Sequence, residues 1–220
     1  MDLRRDLLAF VRHHTRLEPV PFVPEVKLHV AEAMTTIWIA TAEWLDQDAI
    51  TPPYWAFAWP GGQALARYIL DTPEVVRGLS VLDFAAGSGI GAIAAAKAGA
   101  WHVEAADIDP VAQAALALNA ARNGVIVGQR RGVDLTQALE GFDLILAGDV
   151  CYEQPMAPLI LGFLRLCAGN GTRVLLGDPG RAYVPDQGVR EIARYTIPVL
   201  RDLEERDERL TTVWEVEGVR

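Results

Sequence analysis

The chain has 220 residues, of which 51% are hydrophobic and 22% are charged. This composition is that of a globular protein with an apolar core, and no stretch approaches the ~20 apolar residues that a membrane-spanning helix needs. The net charge of −9 argues against a nucleic acid or an anionic membrane as the main partner, because both require basic surface patches.

Two local features exclude further classes of protein. The cysteines, Cys151 and Cys167, show no CxxC spacing and have no neighbouring histidine pair, so we expect neither a zinc site nor a disulfide framework, and no metal. The first residues, MDLRRDLLAFVRHH, contain charges every few positions and no long apolar core, unlike a secretory signal. We therefore predict a cytoplasmic protein.

The first fifty residues differ in character from the rest. A helix is predicted over Asp2–Thr15, and a mixed apolar stretch covers Val26–Leu45. Between them a turn is predicted from three prolines, Pro19, Pro21 and Pro24. From about Thr51 onwards, short apolar runs alternate with alanine- and leucine-rich segments. We therefore expect a helical or extended segment, residues 1–50, packed on a core domain of residues 51–220.

The alternation after Thr51 is typical of βαβ units around a parallel sheet. The predicted strands are Ser80–Phe84, His102–Asp107, Val125–Val133, Phe142–Gly148 and Thr172–Gly177. The predicted helices between them are Ile90–Ala98, Pro110–Arg122 and Pro155–Ala168. Two more strands, Arg194–Val199 and Thr211–Glu217, flank the charged run Arg201–Arg209, which we expect to be a solvated loop or helix face.

A glycine-rich turn, VLDFAAGSGIG, covers Val81–Gly91. Glycine lets a ligand approach the backbone closely and permits positive φ angles. Dinucleotide-binding folds use a similar turn, so the glycines alone leave the nucleotide open. Two details favour S-adenosylmethionine. The spacing is not GxGxxG, and the carboxylate of Asp83 would repel a pyrophosphate but tolerate a cationic methionine group.

Two further strands end in acidic residues. Asp107 lies about twenty residues beyond the turn, where a carboxylate can accept both ribose hydroxyls of an adenosine. Asp109 precedes Pro110 and is predicted to be a helix N-cap. Asp134 could receive the adenine amino group, although a plain turn aspartate accounts for it nearly as well. Acidic ends on three strands together strengthen the prediction of an adenosine site.

Four stretches carry a family resemblance: PPYWAFAWPGGQALARYIL, ADIDPVAQAALALNAARNGV, DLILAGDVCYE and LLGDPGRAY. From about Thr51 the chain resembles the class I, seven-β-strand methyltransferases and, more narrowly, the lysine methyltransferases of the electron transfer flavoprotein β-subunit and their bacterial relatives. The resemblance implies an α/β, Rossmann-like fold. Its seven-stranded, mostly parallel sheet would carry helices on both faces, a C-terminal antiparallel hairpin and an N-terminal helical extension. Ala85 replaces the first glycine of the family pattern, which we expect to crowd the turn slightly.

The segment Asp149-Val-Cys151-Tyr152 follows a predicted strand, and open α/β sheets bind ligands at that edge. The resemblance places this Asp-x-x-Tyr motif beside the methyl donor and the incoming lysine. We predict Asp149 and Tyr152 as catalytic residues, with Asp149 holding an amine electrostatically. The alternatives are a helix cap before Pro155 for Asp149 and plain packing for Tyr152. Cys151 has no histidine to activate it and is predicted to be a small buried neighbour.

Aromatic residues cluster ahead of the glycine turn, and aromatic faces attract cations. They are Tyr54, Trp55, Phe57 and Trp59. We expect the first three to form an apolar plug, whereas the family likeness favours a donor contact for Trp59, beside Gly61 and Gly62. Arg181 either holds an acidic residue of a partner or pairs with Asp178.

Residues and resemblance together predict an S-adenosylmethionine-dependent N-methyltransferase that releases S-adenosylhomocysteine. The predicted donor-binding residues are Trp59, Asp83, Ala85, Gly87, Gly89, Asp107, Ile108, Asp134 and Asp149. The preferred acceptor is a lysine of the electron transfer flavoprotein β-subunit, and the alternatives are a nicotinamide- or amine-type small molecule and a ribosomal protein. A non-catalytic adenosine-binding module is disfavoured by the Asp-x-x-Tyr motif, and a dinucleotide-dependent oxidoreductase by Asp83.

Overall fold

The computed structural model describes residues 3–45 and 52–218, so Asp2 and the predicted boundary at Thr51 lie outside the described residues. The N-terminal elements are α1 (Leu3–His14), β1 (Arg16–Val20), β2 (Val23–Val30) and α2 (Met34–Leu45). The predicted proline turn is confirmed at Pro21, between β1 and β2, but not at Pro19 and Pro24, because the two strands pair as an antiparallel hairpin. Pro19 and Pro24 lie within its strands, which is tolerated because each strand of a two-stranded sheet has one edge without ladder bonds.

The remaining elements alternate as predicted. The helices are α3 (Pro60–Asp71), α4 (Ile90–Lys97), α5 (Pro110–Arg122), α6 (Met156–Gly169) and α7 (Arg201–Glu204), with short 3-10 turns at Tyr54–Ala56 and Pro73–Val75. The strands are β3 (Ser80–Phe84), β4 (His102–Ala106), β5 (Gly128–Arg130), β6 (Leu144–Gly148), β7 (Arg173–Asp178), β8 (Val189–Pro198) and β9 (Glu208–Val216). Within the described ranges, no helix is long and apolar enough to cross a membrane.

Seven strands form the central sheet, in the order β5-β4-β3-β6-β7-β9-β8. Pairing from β5 through β7 is parallel, whereas β9 is antiparallel to both β7 and β8. The predicted Rossmann-like sheet with a C-terminal antiparallel hairpin is therefore confirmed. The largest differences in extent are at the sheet edges: β5 is only three residues long, and β8 begins at Val189 rather than Arg194.

Helices cover both faces of this sheet, and alternate strand residues serve the two sides. Leu144 belongs to the apolar cluster that contains Leu65 of α3 and Ile93 of α4. Its neighbour Ile145 belongs to the second cluster, with Phe163 of α6. Because both faces are covered, the edge at the carboxyl ends of the parallel strands is where a ligand can reach the sheet.

Two asparagines fasten the N-terminal hairpin to the core: Asn119 of α5 and Asn123, the C-cap residue of that helix. Asn119 is fully buried; its Oδ1 accepts the His29 N–H at 2.8 Å, and its Nδ2 donates to the Ser88 carbonyl at 2.9 Å. One turn later, Asn123 accepts the Lys27 N–H and donates to the Lys27 carbonyl. Asn119 therefore joins β2 directly to the glycine turn that contains Ser88.

We expect Asn119→Ala to lower the free energy of unfolding by ~2–3 kcal/mol, because it strands the His29 N–H and the buried Ser88 carbonyl without partners. Asn123→Ala is the matched control, since its bonds to Lys27 are exposed and water can replace them. Urea denaturation of the two variants measures both losses. Equal losses would show that burial of the Asn119 amide is not what matters.

Candidate active site

A cavity of about 870 Å³ opens at the carboxyl ends of β3, β4 and β6. Seven of the residues predicted from the sequence line it: Trp59, Ala85, Gly87, Asp107, Ile108, Asp149 and Tyr152. Its lining also includes Thr41 and Leu45 of α2, Met156 of α6 and Leu203 of α7. The cavity is therefore closed by elements from both ends of the chain.

The glycine turn uses the left-handed region of backbone space at three positions. Gly87 and Gly89 have φ angles of 51° and 79°, and a Cβ atom on Gly89 would lie 2.1 Å from Cδ1 of Leu116. Ala85 has φ 52°, which for an L-residue costs ~1–2 kcal/mol. Ala85, which replaces the first glycine of the family pattern, therefore strains the backbone of the turn.

The carboxylate of Asp83 is held by α4. It is buried against Gly91, and its Oδ2 accepts the N–H of Ala92 at 2.8 Å, so the negative charge lies at the amino end of that helix. Burial raises the pKa of Asp83 to about 7, although the Ala92 hydrogen bond works in the opposite direction. The structure thus gives Asp83 a role in shaping the turn and places its carboxylate against α4.

The carboxylate of Asp107 lies at the cavity wall and ties β4 to the glycine turn. Its Oδ2 accepts the Gly87 N–H at 2.8 Å and its Oδ1 accepts the Asp109 N–H at 2.9 Å. Burial raises its pKa, while these backbone hydrogen bonds lower it. Asp109 is the N-cap of α5, as predicted, and accepts the Val111 N–H at 2.7 Å. Ile108 between them is largely exposed on the cavity rim.

The side chain of Asp134 takes part in a local turn. Its Oδ1 accepts from the Thr136 N–H and hydroxyl, and its Oδ2 accepts from Gln137. The residue is exposed, although its neighbours Val133 and Leu135 line the cavity. These contacts favour the plain turn aspartate over the adenine contact.

We expect Asp107→Ala to weaken binding of S-adenosylmethionine by ~1–3 kcal/mol, because it removes the proposed acceptor of the ribose hydroxyls. Asp134→Ala removes an exposed carboxylate that serves the turn, and it should change the affinity much less. Titration calorimetry measures both. Unchanged affinity in the Asp107 variant would place the ribose elsewhere, and an equal loss at Asp134 would restore the adenine contact.

Asp149 is buried at the end of β6 with φ 57°. Its Oδ2 accepts the Gly62 N–H of α3 at 3.0 Å, and its backbone N–H donates to the Gly177 carbonyl. The alternative of a cap on α6 is wrong, because the carboxylate serves the first turn of α3. Burial raises the pKa of Asp149 to about 6, an effect that the nearby Arg181 partly offsets.

The glycine pair that precedes Gln63 makes this contact possible. A Cβ atom on Gly61 would lie 2.2 Å from the Gly177 carbonyl oxygen and 2.5 Å from Oδ2 of Asp149. A Cβ atom on Gly62 would lie 2.9 Å from Cγ2 of Ile90. Backbone therefore packs directly on backbone where α3 meets β7, and this brings the α3 amides to Asp149.

The guanidinium of Arg181 binds acidic residues of this chain other than the expected Asp178. Its Nη2 lies 2.8 Å from Oδ1 of Asp149 and 2.9 Å from Oε1 of Glu204, while its guanidinium carbon lies 5.5 Å from the ring centroid of Trp59. Asp178 instead accepts the backbone N–H groups of Gly180 and Arg181. The prediction that Arg201–Arg209 is solvated is wrong for Glu204, which is 7% exposed.

Aromatic rings form one side of the cavity. Tyr54 and Tyr152 meet edge to face at 5.2 Å, and the Trp59 indole N–H donates to the Tyr54 carbonyl at 2.7 Å. Trp55 and Phe57 are buried, as expected of a plug, yet they also line the cavity. Burial raises the pKa of Tyr152 to about 12, so its hydroxyl keeps its proton at neutral pH.

Cys151 lies beside this wall. Its side chain is buried, as predicted, and burial raises the pKa of its thiol to about 12. A thiol in this state is a poor nucleophile. Among the described residues, no group of three or more His, Cys, Asp or Glu side chains is placed to hold a metal ion.

The cavity has the chemistry that S-adenosylmethionine requires. The left-handed glycine turn presents backbone at the wall, a hydrogen-bonded carboxylate follows the next strand, and aromatic faces can accommodate a sulfonium cation. Bound there, S-adenosylmethionine supplies a methyl group that a nucleophile with a free electron pair can accept.

Comparison with known proteins gives a family match for part of the chain and a matching fold. Residues 63–151 match the family model "Ribosomal protein L11 methyltransferase (PrmA)". A solved structure of magnesium protoporphyrin IX methyltransferase from Synechocystis PCC 6803, with bound S-adenosylmethionine, aligns with a TM-score of 0.51 at 19% identity, covering 71% of this chain and 79% of that one. The fold and the site define a class I S-adenosylmethionine-dependent methyltransferase.

Two relatives match over most of the chain. The electron transfer flavoprotein β-subunit lysine methyltransferase of Rattus norvegicus is 38% identical, over 98% of this chain and 85% of its own length. That of Mus musculus is 39% identical, over 87% of this chain and 76% of its own length. The chain belongs to the electron transfer flavoprotein β-subunit lysine methyltransferase family.

Proposed function

We propose that this enzyme methylates lysine side chains of the electron transfer flavoprotein β-subunit. The observation that carries the proposal is the match to relatives named for that substrate, which extends over nearly the whole chain. The cavity supports it, because the buried Asp149 carboxylate and the exposed Tyr152 both line it, after the carboxyl end of the central strand β6. A cytoplasmic location stays a prediction from the sequence.

The residues around Asp149 suit an amine acceptor. A lysine has a pKa of about 10.4 and must lose its proton before its nitrogen can attack. In our proposal Asp149 attracts and orients the ammonium, and the aromatic rings of Tyr54, Trp59 and Tyr152 exclude water and stabilise the cation. Because a carboxylate stabilises the charged form of the amine, Asp149 does not itself remove the proton. In our proposal the proton leaves to solvent at the cavity mouth.

Incubation with labelled S-adenosylmethionine and purified electron transfer flavoprotein tests the proposal. We expect label on the β-subunit, located by mass spectrometry on lysine, and none when the modified lysines are replaced by arginine. Ribosomal protein L11 and nicotinamide serve as competing acceptors in parallel reactions. Label on either of these, with none on the β-subunit, would contradict the proposed acceptor while retaining the methyltransferase.

A further inference from the structure

A buried acidic residue outside the Asp-x-x-Tyr motif reaches the reaction cavity through Arg181. The Glu204 side chain is 3% exposed and binds two arginines, Arg181 through Oε1 at 2.9 Å and Arg209 through Oε2 at 2.8 Å. Its own element is α7, a four-residue helix between β8 and β9. The adjacent Leu203 lines the cavity, so α7 is part of its wall.

Arg181 presents an electrostatic difficulty for a cationic acceptor. Its side chain is 15% exposed, it lines the cavity, and it lies beside Asp149, where we propose that the ammonium binds. A cation in a partly buried site repels another cation, since a low effective dielectric strengthens the interaction. If Asp149 were its only partner, the carboxylate and the guanidinium would cancel, leaving little attraction for an amine.

We infer that Glu204 is a positioning residue that sets acceptor specificity: it holds Arg181 away from the acceptor and neutralises it, so that Asp149 keeps a negative charge free for a cationic substrate. Counted together, two carboxylates and one guanidinium leave a net charge of about −1 at the cavity wall. Arg209 binds the other oxygen of Glu204, and its side chain is 26% exposed against 15% for Arg181, so the charge of Arg209 is the better screened of the two. This inference rests on the proposed amine acceptor.

The geometry agrees with a fixed position for Arg181. Its guanidinium is held by Asp149 and Glu204, and it lies over the Trp59 ring at 5.5 Å. The loop that carries it is fixed through the bonds from its backbone N–H and that of Gly180 to Asp178. Loss of Glu204 would remove one of these restraints, and Arg181 would then cancel the charge of Asp149.

Steady-state kinetics of Glu204→Gln test the inference. We expect the KM for the protein acceptor to rise about tenfold, while kcat and the Kd for S-adenosylmethionine change less than about threefold. Glu205→Gln is the matched control, because it removes the same charge from the next residue, which is exposed. It should leave all three constants unchanged. If the single variant folds poorly, the double variant Glu204→Gln/Arg209→Gln, which conserves the total charge, is measured in its place. The same rise in KM is expected for it.

Two outcomes would overturn the inference. The Glu204 and Glu205 variants could share the same KM, or the losses in kcat, KM and donor affinity could run in parallel, as for a residue that only supports the fold. Wild-type enzyme that binds the donor yet methylates no lysine would instead contradict the proposed function. The wild-type reaction is therefore measured first.

Discussion

Replacing Asp149 by asparagine is expected to lower kcat by on the order of 100-fold or more, while the Kd for S-adenosylmethionine changes by less than about threefold. Asparagine tolerates the left-handed backbone at this position, and its side-chain oxygen can still accept from the Gly62 N–H. The variant therefore removes the charge and little else. Arg181 then keeps only Glu204, the two charges cancel, and the cavity loses its attraction for an ammonium ion.

The pH profile separates this role from a structural one. Burial raises the pKa of Asp149 to about 6, so its carboxylate gains a proton as the pH falls through that value. Turnover of the wild-type enzyme should therefore fall below about pH 6, whereas residual turnover of the asparagine variant should lack this acidic limb. Initial rates between pH 5 and 9 and calorimetry with the donor supply both measurements. Equal losses of turnover and donor affinity would refute a role on the acceptor side.

Gly61→Ala is expected to produce the largest structural effect, a loss of about 3 kcal/mol in the free energy of unfolding together with loss of activity. The new methyl group would meet the Gly177 carbonyl and the Asp149 carboxylate, and neither a strand backbone nor a buried ion pair can move aside easily. If α3 shifts instead, the Gly62 N–H leaves Asp149 and the site distorts.

Gly162→Ala is the matched control for this substitution. Gly162 lies inside α6, and an added Cβ atom there would meet nothing within 4 Å. Alanine is the better helix former, so this variant should be more stable by up to ~1 kcal/mol. Thermal denaturation of the pair measures both effects. A Gly61 variant with the wild-type melting temperature and activity would show that α3 does not depend on this contact.

Elements with strong local signals were predicted closely from the sequence. β3 has the predicted ends, and α5 begins at Pro110 behind the predicted cap Asp109. The turn at Pro21 was predicted, but the strands β1 and β2 on either side of it were missed, because Pro19 and Pro24 argue against strands until one knows that each strand has an unpaired edge. The sequence pattern of a segment indicates its own local structure, whereas the pairing of β1 with β2 depends on the rest of the fold.

Only part of the site was predicted, again because local sequence signals do not report contacts that the fold creates. Asp107 and Asp149 reach the cavity because they follow the ends of parallel strands, whereas Asp83 lies within β3. Because side chains alternate along a strand, Asp83 lies on the α4 side of the sheet and Phe84 on the other. The sequence alone does not say which of the two faces the cavity. Glu204 was missed because its partner Arg181 is 23 residues away, and a charged run alone indicates solvent.

Asn119 and Asn123 also affect how this molecule meets its neighbours. A strand edge with free N–H and C=O groups is a template on which another chain can add a strand. Asn119 and Asn123 occupy such groups of β2 at His29 and Lys27, and side-chain amides thus take the place of a third strand. That part of the edge is closed to strand addition, which protects the molecule against aggregation through its N-terminal hairpin.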